Sequence, residues 1–217
     1  MRQERAERTK SALVLAAASL FDGVGYECTT LFQVSSLAAV SKGALSFHFA
    51  NKADLADAVQ SLAVKRASTR IRELRSRDLP ALQNLIDLTH LIAHQRSQDE
   101  VIRACEKLDR ELHAEREPRL SALWRAELHD IAREAERESG LASGLGVHAV
   151  ASMAYAVSTR HLSADVDVHE EQTGLWQLVI PQITAVNSPW PLWPQGTEDF
   201  SPSVPSPRTP QPEAQPA

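Results

Sequence analysis

Three basic side chains lie close together in residues 41–55 of this 217-residue chain. The segment reads SKGALSFHFANKADL and carries Lys42, His48 and Lys52. An ammonium group binds phosphate oxygens and the acceptor edge of guanine, and an imidazole can donate to the same atoms. These residue types at this spacing predict contact with a polyanion.

Four helices are predicted in the first third of the chain, and they must position these side chains. Apolar residues at helical spacing favour helices over residues 4–24, 31–37, 42–49 and 52 to about 75. Polar side chains suited to capping precede the last three of them: Thr29 or Thr30, then Ser41, then Asn51. The first third is therefore predicted to be a set of short helices joined by short turns.

The second and third of these helices have helix-turn-helix spacing. In such a unit the second helix enters the major groove of DNA, with its N-terminal residues towards the base edges. Lys42 begins that helix, while His48 and Lys52 suit the flanking backbone. The alternative is a pair of short helices that carries a lysine without binding DNA, which occurs in many folds.

The charge distribution agrees with a polyanion at one end of the chain. The net charge is −5. Residues 1–75 hold 11 Lys and Arg against 7 Asp and Glu, a net charge of +4, whereas residues 76–217 hold 12 against 21, a net charge of −9. A polyanion is attracted to the basic end and repelled by the acidic remainder. Charge alone also fits an ordinary solvated surface.

The rest of the chain is predicted to be helical as far as a proline-rich tail. Further helices are expected over residues 79–95, 100–111, 119–139, 147–161 and 168–186. Nine of the twelve prolines fall in the last thirty residues. We predict an all-α protein with domains at residues 1–51 and 52–187, and a disordered tail at 188–217 whose Trp190 and Trp193 can dock on the body.

Several other classes of protein fit the sequence poorly. Without an apolar run of eighteen residues or a signal peptide, a soluble cytoplasmic protein is expected. Cys28 and Cys105 are expected to be free thiols rather than a disulfide. His90 and His94 have the spacing of a metal pair but lack a third ligand, so exposed or capping histidines are the preferred interpretation. No nucleophile motif or phosphate-binding loop is present, and we expect no enzyme, cofactor or metal.

The opening segment resembles the DNA-binding region of the TetR family of transcriptional repressors. The similarity lies in V-S-K-G-A-L-S-F-H-F-A-N-K-A-D-L (residues 40–55) and in F-D-G-V-G-Y-E-C-T-T (residues 21–30). The K-G-A-L-x-F-H-F form is most similar to the γ-butyrolactone receptor group. V-I-R-A-C at residues 101–105, Trp124, and V-H-E-E-Q-T-G-L-W-Q-L-V-I-P-Q-I at residues 168–183 resemble the matching parts of those receptors, so the resemblance covers roughly residues 8–186.

This resemblance implies an Ω-shaped homodimer on a pseudo-palindromic operator, with a larger helical domain that binds a small effector and then releases DNA. The residues expected to contact DNA are Arg8, Thr30, Ser41, Lys42, Gly43, Ala44, Leu45, Ser46, His48 and Lys52. Trp124 is expected in the effector pocket, where an indole can stack on a ring and donate one hydrogen bond. The other expected pocket residues are Leu88, Leu91, Ile102, Cys105, Leu128, Tyr155 and Ser158, each of which can instead be a plain core residue.

Two apolar stripes on the last predicted helix suggest where the dimer forms. One stripe can close the core while the other meets a partner. The preceding helix offers small residues that let helices approach closely. The predicted interface residues are Val150, Ala154, Trp176, Val179, Ile180 and Ile183.

Three departures from the family pattern affect these expectations. Ser46 replaces the usual tyrosine, so the side chain that can reach a phosphate is shorter. Ala39 stands in a turn that usually contains glycine, which requires strain or a variant turn. Residues 156–160 read A-V-S-T-R where the receptors usually have F-T-G-x-Q. The last change motivates an alternative, a pseudo-receptor that binds DNA without a butyrolactone response, constitutively or with a protein partner.

Overall fold

The computed structural model describes residues 2–112, 119–160, 167–185 and 191–197. Within these ranges the chain forms nine α-helices and no strand, which confirms the predicted all-α class. The helices are α1 (Arg2–Val24), α2 (Leu31–Leu37), α3 (Lys42–His48), α4 (Lys52–Arg75), α5 (Ala81–Gln98), α6 (Glu100–Leu112), α7 (Arg119–Arg137), α8 (Val147–Thr159) and α9 (Val168–Ile183). None of the described helices is both long enough and apolar enough to cross a membrane.

The first three helices share a small apolar core. Phe21, Val34, Leu45 and Phe49 are buried, and α1 packs on both α2 and α3. With seven residues each, α2 and α3 are too short to be stable alone. Burial of each large side chain stabilises by about 1.5–3 kcal/mol, so the shared core, rather than helix propensity, holds the two helices in place.

The predicted caps are confirmed. Thr30 and Gln33 form a reciprocal capping box at the start of α2. Ser41 and Asn51 each accept a hydrogen bond from the backbone amide three residues ahead, at 3.2 and 2.9 Å. Thr29, the other candidate for the α2 cap, instead donates its hydroxyl to a backbone carbonyl four residues earlier. The caps fix where α2, α3 and α4 begin.

The turn between α2 and α3 is strained at Ala39. This residue has φ of +54°, in the left-handed region that favours glycine. The conformation costs an alanine about 1 kcal/mol. A hydrogen bond from the Val40 amide to the Ser35 carbonyl, at 3.0 Å, closes the turn around it. Of the two alternatives for this turn, strain at the alanine is therefore the one observed.

The body is built around α5. This helix packs against α4, α6, α7, α8 and α9, and fourteen of its residues are buried. They include the polar residues Gln83, Asp87 and His90. The interpretation of His90 as an exposed or capping residue was therefore wrong: its side chain is 2% exposed, because neighbouring elements leave this side of α5 no contact with solvent.

The C-terminal part of the chain returns to the body. After α9, the backbone pairs with the loop that follows α7, through an isolated bridge between Leu141 and Thr184. Residues 191–197 lie against α5, where Leu192 joins the core and Trp193 is 41% exposed. Part of the segment that was predicted to be disordered is thus docked. Trp190 and residues 198–217 lie outside the described residues.

Candidate nucleic-acid interface

The exposed face of α3 consists of Lys42, Gly43, Ser46 and Phe47. We call these four residues the outer face of α3. Leu45 lies on the opposite side and is 2% exposed, so its predicted contact with DNA was wrong. The reason is helical periodicity, because Leu45 and Phe49 are four residues apart and both point into the core.

Phe47 is an exposed residue of the outer face that the sequence reasoning did not include among the expected DNA contacts. It is 80% exposed, and its ring meets that of His48 edge-on, with the two centroids 5.1 Å apart. Phe32 on α2 is also exposed, at 75%. A signal for Phe47 was available: it lies midway between buried Leu45 and Phe49, which places it on the far side of the helix. An exposed aromatic ring on the same helix as Lys42 suits apolar contact with a base methyl group.

Gly43 has no role in the packing of the chain that requires glycine. A Cβ atom built there would meet only Ser41 Oγ, at 4.0 Å. Glycine inside a helix is less stable than alanine by about 0.5–1 kcal/mol. The backbone of α3 at Gly43 is therefore open to the exterior, with room for another molecule to approach it.

The remaining residues that are predicted to contact DNA differ in their exposure and in their hydrogen bonds. Arg8 is exposed on α1, and Ser41 is exposed although its hydroxyl caps α3. Thr30 is exposed, but its hydroxyl is engaged in the α2 cap, accepting from the Gln33 amide and donating to the Gln33 side chain. Ala44 and His48 are half-buried at the edges of the outer face.

Lys52 holds the fold together rather than projecting freely. Its ammonium donates to the carbonyl oxygens of Tyr26 at 2.8 Å and of Thr29 at 3.1 Å, and it lies 4.2 Å from the centre of the Tyr26 ring. We expected Lys52 to contact the DNA backbone. In the structure it instead links the start of α4 to the turn that joins α1 to α2. The partners lie 23 and 26 residues earlier in the chain, so no local pattern indicates them.

The predicted effector residues fall in the core of the body. Leu88, Leu91, Ile102, Cys105, Trp124 and Leu128 are each at most 2% exposed and belong to one apolar cluster. Burial and the neighbouring carboxylate of Asp109 raise the pKa of the Cys105 thiol far above its ordinary value, so the thiol behaves as a buried apolar group of the core rather than as a nucleophile.

Two tryptophans of the body differ in how their indole nitrogens are satisfied. Trp176 donates from Nε1 to Thr89 Oγ1 at 2.8 Å. Trp124 is fully buried, and its Nε1 has no hydrogen-bond partner among the described residues. Buried N–H groups are nearly always paired, so an unpaired one needs an explanation. A bound ligand that supplies a hydrogen-bond acceptor is one explanation.

Tyr155 and Ser158 are at the edge of this core. The Tyr155 hydroxyl donates to Ser121 Oγ at 3.0 Å, and the guanidinium of Arg125 stacks on its ring at 4.6 Å. Ser158 is buried and donates its hydroxyl to the Tyr155 carbonyl one helical turn earlier. A separate polar cleft of about 540 Å³ is lined by α4, α5 and α6, including Arg66, and contains none of the predicted effector residues.

Four of the predicted interface residues lie inside a single chain. Val150, Ala154, Trp176 and Ile183 are buried in the body. Their assignment to a dimer interface was wrong, because these residues form the inward stripes of α8 and α9. Val179 and Ile180 are half-buried. The exposed apolar residues of these two helices include Ala149, Ala156, Leu178 and Pro181.

Comparison with known proteins places this arrangement in a family. Residues 13–59 match the model described as bacterial regulatory proteins, tetR family. The A-factor receptor protein of Streptomyces griseus is 40% identical over 86 residues, which is 40% of this chain and 29% of that protein. The match therefore spans less than a third of that relative.

Solved structures match most of the chain. CprB from S. coelicolor A3(2), described as a TetR family protein, is 31% identical, with a TM-score of 0.70 over 85% of this chain and 92% of that one. A γ-butyrolactone receptor described as ArpA-like is 29% identical, with a TM-score of 0.70 over 84% and 92%. CprB in complex with its biological operator sequence has 31% identity and a TM-score of 0.66 over 84% and 91%. The chain therefore belongs to the tetR family of bacterial regulatory proteins, and is a TetR-type DNA-binding regulator related to the γ-butyrolactone receptors.

Proposed function

We propose that this protein is a dimeric transcriptional repressor whose operator binding is released by a small hydrophobic signalling molecule. The observation that carries the proposal is the outer face of α3, which exposes a lysine, a glycine that the packing does not need, and an aromatic ring. The relatedness to γ-butyrolactone receptors supports control of secondary metabolism as its role.

Each residue of the outer face has a distinct expected contact. Lys42 binds a phosphate or the O6 and N7 atoms of a guanine. The Phe47 ring packs on a thymine methyl group, and Gly43 gives the groove edge room to approach the backbone. Ser46 is shorter than the tyrosine usual in the family, so it contributes less to phosphate binding.

The operator is expected to have two half-sites, because we propose that a second copy of this chain covers α8 and α9. On α8, the small residues Ala149, Ser152 and Ala156 are exposed at helical spacing. On α9, Leu178 is 72% exposed and Pro181 lies one turn further on. Small residues allow close approach of a second pair of helices, and the leucine is the apolar side chain that the pairing buries. A two-fold dimer requires a pseudo-palindromic operator.

The effector is expected to bind in the core around Trp124. Apolar neighbours such as Leu88 and Leu128 suit an aliphatic or planar body, and the unpaired Trp124 N–H requires a hydrogen-bond acceptor such as a lactone carbonyl. A γ-butyrolactone, an antibiotic or a biosynthetic intermediate meets both conditions. The alternative, a pseudo-receptor that needs no effector, is not favoured by the relatedness to γ-butyrolactone receptors.

The proposal is tested by titrating labelled DNA from upstream of the protein's own gene with purified protein, and then adding butyrolactones, related furans and antibiotic intermediates. Specific binding that one of these compounds reverses supports the proposal, and the active compound identifies the effector class. Binding that every compound leaves intact contradicts effector release. The absence of specific DNA binding contradicts the repressor function itself.

A further inference from the structure

Residues 191–197 dock on α5 mainly through polar contacts. The backbone of Trp193 forms two hydrogen bonds with the Gln83 side chain: its amide donates to Oε1 at 2.8 Å, and its carbonyl accepts from Nε2 at 3.2 Å. The Pro194 carbonyl accepts from His90 Nε2 at 2.8 Å. The backbone of the segment therefore forms hydrogen bonds with side chains of α5, as it would with the backbone of a neighbouring strand.

The end of the docked segment fits against a buried carboxylate. Thr197 donates its amide to Asp87 Oδ1 at 3.1 Å and its hydroxyl to Asp87 Oδ2. Gly196 has φ of +78°, and a Cβ atom there would meet His90 Cδ2 at 3.4 Å and Asp87 Oδ1 at 3.5 Å. The positive φ favours glycine at this position, and an added Cβ would be in ordinary van der Waals contact with α5.

The side of α5 beneath this segment depends on it. Gln83, Asp87 and His90 are at most 2% exposed, and each uses the segment as a hydrogen-bond partner. Without it, a carboxylate, an amide and an imidazole would lose these partners, and each would need water in their place. His169 of α9 lies against His90, with ring centroids 4.9 Å apart, so the same site touches the proposed dimer helix.

The docked segment also contacts Arg77, just beyond the end of α4. Arg77 donates from Nη1 to Thr197 Oγ1 at 3.3 Å, and the same atom lies 3.8 Å from Asp87 Oδ2. Helix α4 has 24 residues and so spans about 36 Å. Its first residue, Lys52, is tied to the turn between α1 and α2. One helix therefore connects the candidate DNA-binding face to the docked segment.

We propose that residues 191–197 form a latch on α5 that holds the end of α4 in the position required for operator binding. The proposal rests on the proposed function. With the latch closed, Arg77 contacts both Asp87 of α5 and Thr197, and these contacts add to the packing of α4 against α1, α5, α6 and α7. With the latch open, Arg77 keeps Asp87 but loses Thr197, so the end of α4 is held less tightly and the position of the DNA-binding helices becomes more variable. Operator binding must then order the DNA-binding helices, which the closed latch orders before the DNA binds, so the affinity for the operator is lower.

Part of the latch remains exposed. Leu192 packs against the core, whereas Trp193, the largest side chain of the latch, is 41% exposed. The segment is followed by residues 198–217, which are rich in proline and serine.

The test uses Gly196→Ala in the full-length protein, with Gly144→Ala as its control. Both glycines have positive φ, +78° and +90°, so alanine introduces similar backbone strain at each. A Cβ makes no contact closer than 3.4 Å at either position, so the two variants differ in which segment is strained: Gly196 lies in the docked segment, and Gly144 lies in the loop between α7 and α8. Thr197→Val, which removes the hydroxyl contacts with Asp87 and Arg77, provides a second way to open the latch, and Thr197→Ser should keep it closed.

Two measurements decide the question: hydrogen exchange of the Trp193, Gly196 and Thr197 amides, which are bonded in the closed latch, and operator affinity well below the melting temperature. We expect Gly196→Ala and Thr197→Val to lose amide protection and to weaken operator binding by about five-fold or more, with Gly144→Ala and Thr197→Ser unchanged. Loss of protection with unchanged affinity overturns the coupling to DNA.

Two other outcomes also count against the latch. If the three amides exchange freely in the unmodified protein, or stay protected in both opening variants, these contacts do not form the latch. If the unmodified protein fails to bind any operator, the proposed function fails and the coupling with it, while amide protection still reports separately whether the segment is docked.

Discussion

The ammonium of Lys52 lies 4.2 Å from the centre of the Tyr26 ring and donates a hydrogen bond to the Tyr26 carbonyl. This relationship separates two lysines that look alike in the sequence. Lys42 is exposed on the outer face of α3, whereas Lys52 is committed to carbonyls of the same chain. The two should respond differently to substitution.

Lys52→Met should destabilise the fold by about 1–3 kcal/mol, because it removes charge-assisted hydrogen bonds at a partly buried position. The salt dependence of operator binding should stay the same, since no phosphate contact is lost. Urea unfolding and operator titrations at several salt concentrations measure the two effects. A shallower salt dependence in this variant would return Lys52 to the DNA interface.

Lys42→Ala should weaken operator binding and lower the slope of log affinity against log salt by about one, because one phosphate contact disappears. Folding stability should change little at this exposed position. Lys65→Ala, which removes the same charge from an exposed position on α4, is the matched control. Equal effects of the two substitutions on the slope would indicate general charge attraction rather than a contact of Lys42.

Gly43→Ala should separate stability from binding. Alanine should stabilise the protein by about 0.5–1 kcal/mol, since a Cβ atom has open space there and helix propensity improves. Operator affinity should fall, because the added methyl group meets the DNA. Chemical denaturation and operator titration of the same preparation test both expectations, and a more stable variant with full affinity would show that DNA does not approach this point.

Trp124→Phe should abolish release by the effector and leave operator binding intact, because it removes the unpaired indole N–H and keeps an aromatic ring. Trp176→Phe makes the same change where the indole is bonded to Thr89, and should lower stability while effector release persists. Operator titrations with and without the active compound compare the two variants. Release that survives in Trp124→Phe places the effector elsewhere.

His90 should make the protein less stable in mild acid. Burial lowers the pKa of His90 to about 4 from an ordinary value of 6.5, and the neighbouring His169 acts in the same direction, while the Pro194 carbonyl and Asp87 oppose the shift. The folded-state pKa lies below the unfolded one, so unfolding takes up a proton. The contribution is complete above about pH 6.5 and falls as the pH drops towards 4, by about 3 kcal/mol in all.

His90→Gln should flatten this part of the stability curve, because glutamine can still donate to the Pro194 carbonyl but does not titrate. Urea unfolding of both proteins between pH 4 and pH 7 gives the difference curve. Other groups titrate in this range in both proteins, so only the difference reports His90. A difference that does not change with pH would mean that His90 has the same pKa in the folded and unfolded states.

Local chemistry made part of this structure predictable. The caps at Thr30, Ser41 and Asn51 involve partners only three residues ahead, so a short stretch of sequence contains the whole interaction. The same holds for the apolar spacing that marks the helices and for the outward position of Lys42. The sequence alone therefore determined the all-α class, the helix-turn-helix unit and the end of the chain that is suited to DNA.

Tertiary structure decided which side of each helix is buried and which polar groups are paired. Trp176 finds Thr89 at a separation of 87 residues, while Trp124 finds no partner in the described part of the chain. Two apolar stripes on a helix are equivalent in the sequence, and only packing against α5 determines which of them is buried in the core. Three features depend on contacts between distant segments: which sides of α8 and α9 are buried, the role of Lys52, and the docking of residues 191–197. Helical periodicity carries no information about which segments meet.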